Sequence, residues 1–138
     1  MTLGIRFFAA HTAAVAALVA LSACGGGGSS PTAPAPGGGS PGPVGATITI
    51  GANGAVSPVQ VSVAVGQSVN FVNNDSRVHD MTSDPHPTHT DCPSTNAVGL
   101  LSPGQTKITN AYTTARTCGF HDHGNPNDAA LMGRVVIQ

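Results

Sequence analysis

The sequence predicts an all-β domain, an antiparallel sandwich of about seven short strands with one long loop. Apolar residues alternate with polar or small ones in several short runs, such as Val59, Val61, Val63 and Val65, and this period of two is typical of half-buried strands. Turns rich in glycine, asparagine and proline separate the runs at the spacing found in β-sandwiches. No stretch keeps a helical period for three turns, so the sequence does not favour a helical fold.

Residues 1–23 precede this domain and have the pattern of a signal peptide. Arg6 is their only positive charge, and the apolar run that follows it is too short and too weakly flanked for a permanent membrane span. Leu21-Ser22-Ala23-Cys24 resembles the lipobox of bacterial lipoproteins, which implies lipidation of Cys24; the alternative is an ordinary cleaved signal. We therefore expect an exported, periplasmic or cell-surface protein, and Gly25 resembles the outer-membrane sorting pattern of Gram-negative lipoproteins.

Residues 24–45 contain the cysteine and a tether rich in glycine, serine and proline. Such a composition cannot bury enough apolar surface to fold, and we expect it to be disordered. A tether of this kind lets a membrane-anchored domain reach a partner, although it is equally compatible with a simple spacer. The folded domain is therefore predicted at residues 46–138.

Within that domain, strands and turns follow one another closely until one long interruption. The turn at 51–54 and the break at Asn73-Asn74-Asp75 separate the early strands. Residues 76–105, rich in Pro, Asp, Ser and Thr, form the long loop, and connections of this length inside a compact domain are usually functional or locally folded. The predicted strands lie at residues 46–50, 59–65, 69–71, 108–112, 115–118 and 134–137.

Composition argues against several classes of function. Only 8% of the 138 residues are charged and the net charge is −1 with histidine neutral, so the chain has no basic stripe and nucleic acid is not an expected partner. Its six acidic residues are all aspartates, and the paired carboxylates of hydrolytic enzymes would have to come from these scattered positions. We expect a protein that is not an enzyme.

Metal-binding side chains concentrate near the end of the chain. Cys118, His121 and His123 lie within six residues of one another, and a thiolate with neutral imidazoles suits copper or zinc. His79 follows a predicted strand about forty residues earlier and could approach the same loop. The sequence therefore predicts a metal site that includes these four residues.

The same residues resemble those of a cupredoxin, the plastocyanin-like blue-copper sandwich. The matching pieces are Val69-x-Phe71-x-Asn73-Asn74 before His79, and Cys118-x-x-His121 before Gly133-x-Val135-x-Ile137. The resemblance implies a Greek-key sandwich that binds copper through two imidazoles, His79 and His121, and the Cys118 thiolate. It also implies single-electron transfer to a redox protein in the cell envelope.

The family's weak axial methionine has no counterpart at the expected position. Leu131 occupies it, and Met132 follows one step later, where an extended strand would aim the side chain to the opposite face. Met132 is therefore only an additional candidate ligand. Because an axial ligand tunes the potential of a copper site, its loss alone would not abolish copper binding.

The cysteines leave a second interpretation open. Once Cys24 is lipidated, Cys92 and Cys118 can form a disulfide in an oxidising compartment, which would remove the thiolate. Histidines alone would then hold copper or zinc in a binding or delivery module, with Asp80 or Asp122 as hydrogen-bond acceptors that fix a ring. A third interpretation is a metal-free sandwich with a structural or recognition role. The available imidazoles are those of His79, His86, His89, His121 and His123.

Overall fold

The computed structural model describes residues 39–138, which form a two-sheet β-sandwich; residues 1–38, with the predicted signal peptide, Cys24 and most of the tether, lie outside the described residues. Two short 3-10 helices, Thr95–Ala97 and Ala129–Leu131, accompany the strands. In the described part of the chain no helix is long and apolar enough to span a membrane. The strands are β1 Val44–Ile50, β2 Val56–Ser57, β3 Gln60–Val63, β4 Ser68–Asn73, β5 His79–Ser83, β6 Gly99–Leu101, β7 Thr106–Ile108, β8 Arg116–Asp122 and β9 Gly133–Ile137.

The strands form one sheet of four, in the order β2-β1-β4-β7, and one sheet of five, in the order β3-β9-β8-β5-β6. The predicted all-β sandwich is confirmed. Two details differ from the expectation. Nine strands are formed within residues 39–138, because the segment predicted as one long loop contains β5 and β6 and because β2 forms just after the turn at 51–54. Two of the pairings, β1 with β4 and β3 with β9, are parallel.

The core lies between the two sheets and is built from the inward-facing residues of each strand. Ile48 and Ile50 of β1 and Phe71 of β4 are fully buried from one side, and Phe120 of β8 and Val135 of β9 from the other. The Phe71 and Phe120 rings meet edge to face with centroids 5.2 Å apart, a favourable aromatic geometry. This contact fixes which face of β8 points inward, and hence which residues of β8 point outward.

Residues 84–98, the loop between β5 and β6, start on the outer face of the five-stranded sheet and return to the core. The loop is fixed by a disulfide between Cys92 and Cys118 of β8, whose Cα atoms are 5.8 Å apart, and by an ion pair between Asp91 and Arg116. Both cysteines are buried in the core cluster. A loop of this length can therefore hold side chains in fixed positions over the sheet.

Candidate metal site on the outer face of the five-stranded sheet

Four histidines meet on the outer face of the five-stranded sheet, and we call them the histidine cluster: His86, His89, His121 and His123. One ring nitrogen from each of His86, His89 and His123 lies within 4.8 Å of the others. The fourth ring, His121, lies 5.7 Å from His86 and 5.2 Å from His89, measured between ring centroids. Imidazoles are the commonest metal ligands of proteins, so this is the candidate site.

The alternation of β8 explains why two of the four rings share a face. Phe120 points into the core, so its neighbour His121 points outward, and His123 follows two positions later on the same side. His121 pairs with Thr82 of β5, which also faces outward. The loop after β5 then carries His86 and His89 over this surface. Histidines about 35 positions apart in the sequence therefore lie side by side.

His121 is buried and has one ring nitrogen without a partner. Its Nδ1 lies 2.7 Å from Oδ1 of Asp84, and because a carboxylate accepts, Nδ1 carries the proton and donates. The lone pair is then on Nε2, which is the one buried side-chain nitrogen or oxygen among the described residues without a hydrogen-bond partner. A buried polar atom left unpaired is costly, and a bound metal ion would satisfy this one.

Gly119 allows Asp84 to reach His121. It lies on the outer face of β8, two residues before His121, and a Cβ added to it would overlap the Asp84 carboxylate. The backbone N–H of Asp84 also donates to the Gly119 carbonyl. Glycine at position 119 therefore leaves room for the Asp84 carboxylate, which in turn holds the His121 ring in place.

His89 is held even more firmly than His121. Its backbone has a φ of 52°, a left-handed conformation that is unfavourable for a residue with a side chain and persists only when its surroundings enforce it. Here Ser83 Oγ and Asn96 Nδ2 both donate to the His89 carbonyl, at 3.0 and 2.8 Å. An energetically unfavourable backbone at this position is consistent with a functional role for its side chain.

The ring of His89 also has a defined tautomer. Thr82 Oγ1 donates its proton to Asn96 Oδ1 at 2.8 Å, so it accepts from His89 Nδ1 at 3.1 Å, and the lone pair of His89 lies on Nε2. Burial, followed by the neighbouring His121, His123 and His86, lowers the pKa of His89, against a smaller opposing effect of Asp80. A lowered pKa keeps the ring neutral, which is the form that binds metals.

The spacing between two rings fits a shared ion. His89 Nε2 and His123 Nδ1 are 3.1 Å apart. Two nitrogens at about 2.0–2.1 Å from one ion would be about 2.9 Å apart at a right angle and about 3.4 Å apart at the tetrahedral angle. The observed distance lies between these values. The donor set and this spacing are those of a candidate metal site built from His86, His89 and His123, and the unpaired nitrogen of His121 lies on a ring next to two of them.

His79, predicted as the first imidazole ligand, is not part of the cluster. It faces inward from β5, is buried, and both of its ring nitrogens are engaged: Nε2 lies 3.0 Å from Asp75 Oδ2 and Nδ1 lies 3.0 Å from Asp122 Oδ2. Both ring nitrogens therefore lie against carboxylate oxygens, which accept hydrogen bonds. No ring nitrogen of His79 is left for a metal.

The carboxylates around His79 are ionised for identifiable reasons. The hydrogen bond with His79 is the main cause that lowers the pKa of Asp75 to about 2, with Arg77 contributing. For Asp122, burial alone would raise the pKa, but hydrogen bonds from His79, Asn125 and two backbone N–H groups outweigh it and lower the pKa. The contacts that run from Arg77 through Asp75 and His79 to Asp122 tie the segment after β4 to the end of β8.

Cys118 is not a free thiolate in the structure, because it forms the disulfide with Cys92. Its position on β8 also differs from the expectation. Cys118 and His121 are three residues apart on one continuous strand, so their side chains project from opposite faces: Cys118 into the core and His121 outward. A thiolate ligand shared with His121 is therefore ruled out on two counts within this fold.

The remaining candidates lie apart from the ring nitrogens. Met132 is partly exposed and lines a groove with Asp84 and Gly119, whereas Leu131 is fully buried. Asp80 lies beside the cluster and its carbonyl accepts from the His123 N–H at 2.7 Å. The sequence predicts that Asp80 or Asp122 fixes a ring. In the structure Asp122 contacts His79, whereas the rings of His121 and His89 are held by Asp84 and Thr82.

Comparison with known proteins gives the class of the fold. No family model and no curated protein matches the sequence. Among solved structures, a purple cupredoxin from Nitrosopumilus maritimus is similar, with 19% identity and a TM-score of 0.53 over 67% of this chain and 99% of that chain. Plastocyanin from Dryopteris crassirhizoma (19%, 0.51, 67% and 99%) and auracyanin from Roseiflexus castenholzii (15%, 0.52, 70% and 98%) are similar over comparable spans.

These similarities define a cupredoxin-like sandwich over the C-terminal two-thirds of the chain, as the sequence predicts. At such identities the likeness concerns the fold. The candidate metal site, in contrast, rests on this chain's own residues. The predicted lipoprotein signal lies outside the described residues and stays a prediction.

Proposed function

We propose that this protein binds one transition-metal ion, copper or alternatively zinc, through the histidine cluster His86, His89, His121 and His123. The observation that carries the proposal is the unpaired Nε2 of buried His121. The His121 ring lies 5.7 and 5.2 Å from the rings of His86 and His89, measured between centroids, and these two residues share a group of closely spaced ring nitrogens with His123. Each neutral imidazole offers one nitrogen lone pair. A metal cation held by the four rings would satisfy His121 Nε2, which has no hydrogen-bond partner among the described residues.

The donor set favours Cu(II) or Zn(II). Imidazole suits both ions, and neither a thiolate nor a thioether, the donors that select Cu(I), belongs to the cluster. Copper is the first choice because Cu(II) binds nitrogen donors more tightly than the other divalent first-row metals. When bound, copper would supply a one-electron redox couple, and zinc would not. The protein is then a binding protein and not an enzyme, as its composition suggests.

The experiment is a copper titration of the full chain, followed by absorbance and by the melting temperature. We expect one ion per chain, a rise in melting temperature because the ion binds the native state, and no intense thiolate-to-copper band. A His121→Ala variant should lose the effect, whereas Thr88→Ala, an exposed residue of the same loop, should keep it. If copper leaves the melting temperature of the wild type unchanged, the metal-free sandwich replaces this proposal.

Electron transfer is the second candidate function, supported by the similarity of the fold to cupredoxins. In that case an envelope redox protein would be the partner. The discriminating measurement is the rate of electron exchange between the Cu(II)- and Cu(I)-loaded protein. Fast exchange favours a carrier; slow exchange together with release of Cu(I) favours the binding and delivery function, since a set of imidazoles lacks soft donors for the reduced ion.

We also propose that the chain is exported and lipid-anchored at Cys24, and that its partner is an envelope protein. The sequence at residues 1–24 supports this, and so does the disulfide between Cys92 and Cys118, because disulfides persist in oxidising compartments. Fractionation of bacteria that express the full chain tests it: wild type is expected in the membrane fraction and Cys24→Ala in the soluble fraction. Equal distribution of the two would exclude the anchor.

A further inference from the structure

The four imidazoles of the cluster form two different pairs. His89 and His121 are the inner pair: each is at least partly buried and each has Nδ1 held by a protein group, Thr82 for His89 and Asp84 for His121. His86 and His123 are the outer pair, and both are exposed. Among residues 39–138, no hydrogen bond to the ring of His86 is found, and the ring of His123 has a hydrogen bond only with that of His89.

This asymmetry has a consequence for how an ion leaves the site. A ligand whose ring is fixed by a second hydrogen bond pays little ordering entropy when it binds, whereas a free, exposed ring can rotate away at little cost. An incoming imidazole can therefore replace His86 or His123 while His89 and His121 still hold the ion. One metal–nitrogen bond forms for each one that breaks, all imidazoles stay neutral, and the oxidation state of the ion is unchanged.

We propose that the outer pair, His86 and His123, is the exchange edge of the site, through which copper passes by ligand substitution to an acceptor protein that presents its own imidazoles. The proposal rests on the metal-binding function proposed above. It adds the side of the site from which the ion leaves and the kind of ligand that accepts it. The surface beside the outer pair suits contact with a protein. Leu100 of β6 is 61% exposed and projects from the outer face, because it pairs with outward-facing Asp80. Val78, just before β5, is 55% exposed.

The test is the transfer of copper from the untagged full chain to a hexahistidine segment. The segment is supplied free or at the end of a folded fluorescent protein, whose emission is quenched by the ion. If ligands are substituted at an exposed edge, the observed rate constant of copper transfer should rise in proportion to acceptor concentration over at least a tenfold range. This should hold for the free segment and for the fused segment. A site that must first release the ion would give a rate independent of acceptor concentration, and that result would overturn the proposal.

Variants separate the two pairs. His86→Ala should still bind copper, with the affinity lowered about tenfold if the ligand is worth about 1.4 kcal/mol, and it should transfer copper faster than wild type. His89→Ala should lose copper far more completely, and Thr88→Ala should behave as wild type. Equal loss from His86→Ala and His89→Ala would contradict the division into pairs. Transfer to the free segment but not to the fused one would contradict an edge that is open to a protein acceptor. If wild type binds no copper, the proposed function itself fails; if it binds copper but transfers it at a constant rate, only the exchange edge fails.

Discussion

Asp84 offers the sharpest test of how the cluster is built, because it supports a ligand without belonging to the ligand set. Its Oδ1 accepts from His121 Nδ1 at 2.7 Å, which fixes the ring and places the lone pair on Nε2. Replacing Asp84 with alanine removes this acceptor but leaves all four imidazoles. The His121 ring would then be free to rotate and to exchange its tautomer, and we expect copper affinity to fall.

The size of the loss follows from the hydrogen bond. Bonds to charged groups contribute about 1.5–3 kcal/mol, and the Asp84 side chain is 39% exposed, so water screens the interaction and the lower part of the range applies. A loss of about 1.5–2 kcal/mol corresponds to a roughly 10- to 30-fold weaker copper affinity, within the range for residues that orient metal-bound histidines. Asp84→Asn keeps an acceptor oxygen and should lose less.

The assay is competition for Cu(II) with a chelator of known affinity, run on wild type, Asp84→Ala, Asp84→Asn and a control, Asp128→Asn. The control removes the same charge from an exposed residue that caps the helix at Ala129–Leu131, and asparagine caps nearly as well. Gly119→Ala should resemble Asp84→Ala, because the added Cβ displaces the carboxylate. Unchanged affinity in Asp84→Ala, with a folded protein, would refute the proposed role of Asp84 in orienting the His121 ring.

Three further predictions concern the parts of the fold around the cluster. The pKa of Asp75 is lowered from 3.8 to about 2, so the contribution of its ionised carboxylate to stability is complete above about pH 4 and is lost as the pH falls toward about 2. The free energy of unfolding of Asp75→Asn, measured by urea denaturation, should lack this part of the pH dependence. A pH profile equal to that of wild type would contradict this role of Asp75. Cys92→Ala opens a disulfide of sequence separation 26 and should lower the free energy of unfolding by about 3.5 kcal/mol. Because the thiol of Cys118 then faces the core, copper should still produce no intense thiolate band, and its appearance would restore the blue-copper interpretation. His79→Gln should lower the melting temperature but weaken copper binding by no more than about tenfold, and a loss as large as that of His121→Gln would return His79 to the ligand set.

The fold could be predicted from the sequence because alternation and turn residues act locally. The runs around Ile48, Val61 and Phe71 each bury one face in the structure, as a period of two requires. The strands β5 and β6 were missed because their short sequences lie among prolines and aspartates. Their strand structure depends on pairing with each other and with β8, which is tertiary context that local patterns do not contain.

The ligand set was harder to predict because it depends on which face of a strand each side chain occupies. A short loop would let Cys118 and His121 converge, but β8 continues to Asp122 and separates them. The spacing of His121 and His123, two residues apart, did carry a usable signal, since i and i+2 share a face on a strand. The roles of Asp84, Thr82 and Asn96 were missed, because hydrogen bonds between residues far apart in sequence leave no local pattern.

The position of the ion itself tests the account most directly. We predict that crystals of the copper-loaded protein show one anomalous-scattering peak at the copper absorption edge, bonded to Nε2 of His89 and of His121 and completed by His86 and His123. A peak beside His79 or Cys118, or no peak at any of these residues at full copper loading, would contradict the assignment of the outer face of the five-stranded sheet as the metal site.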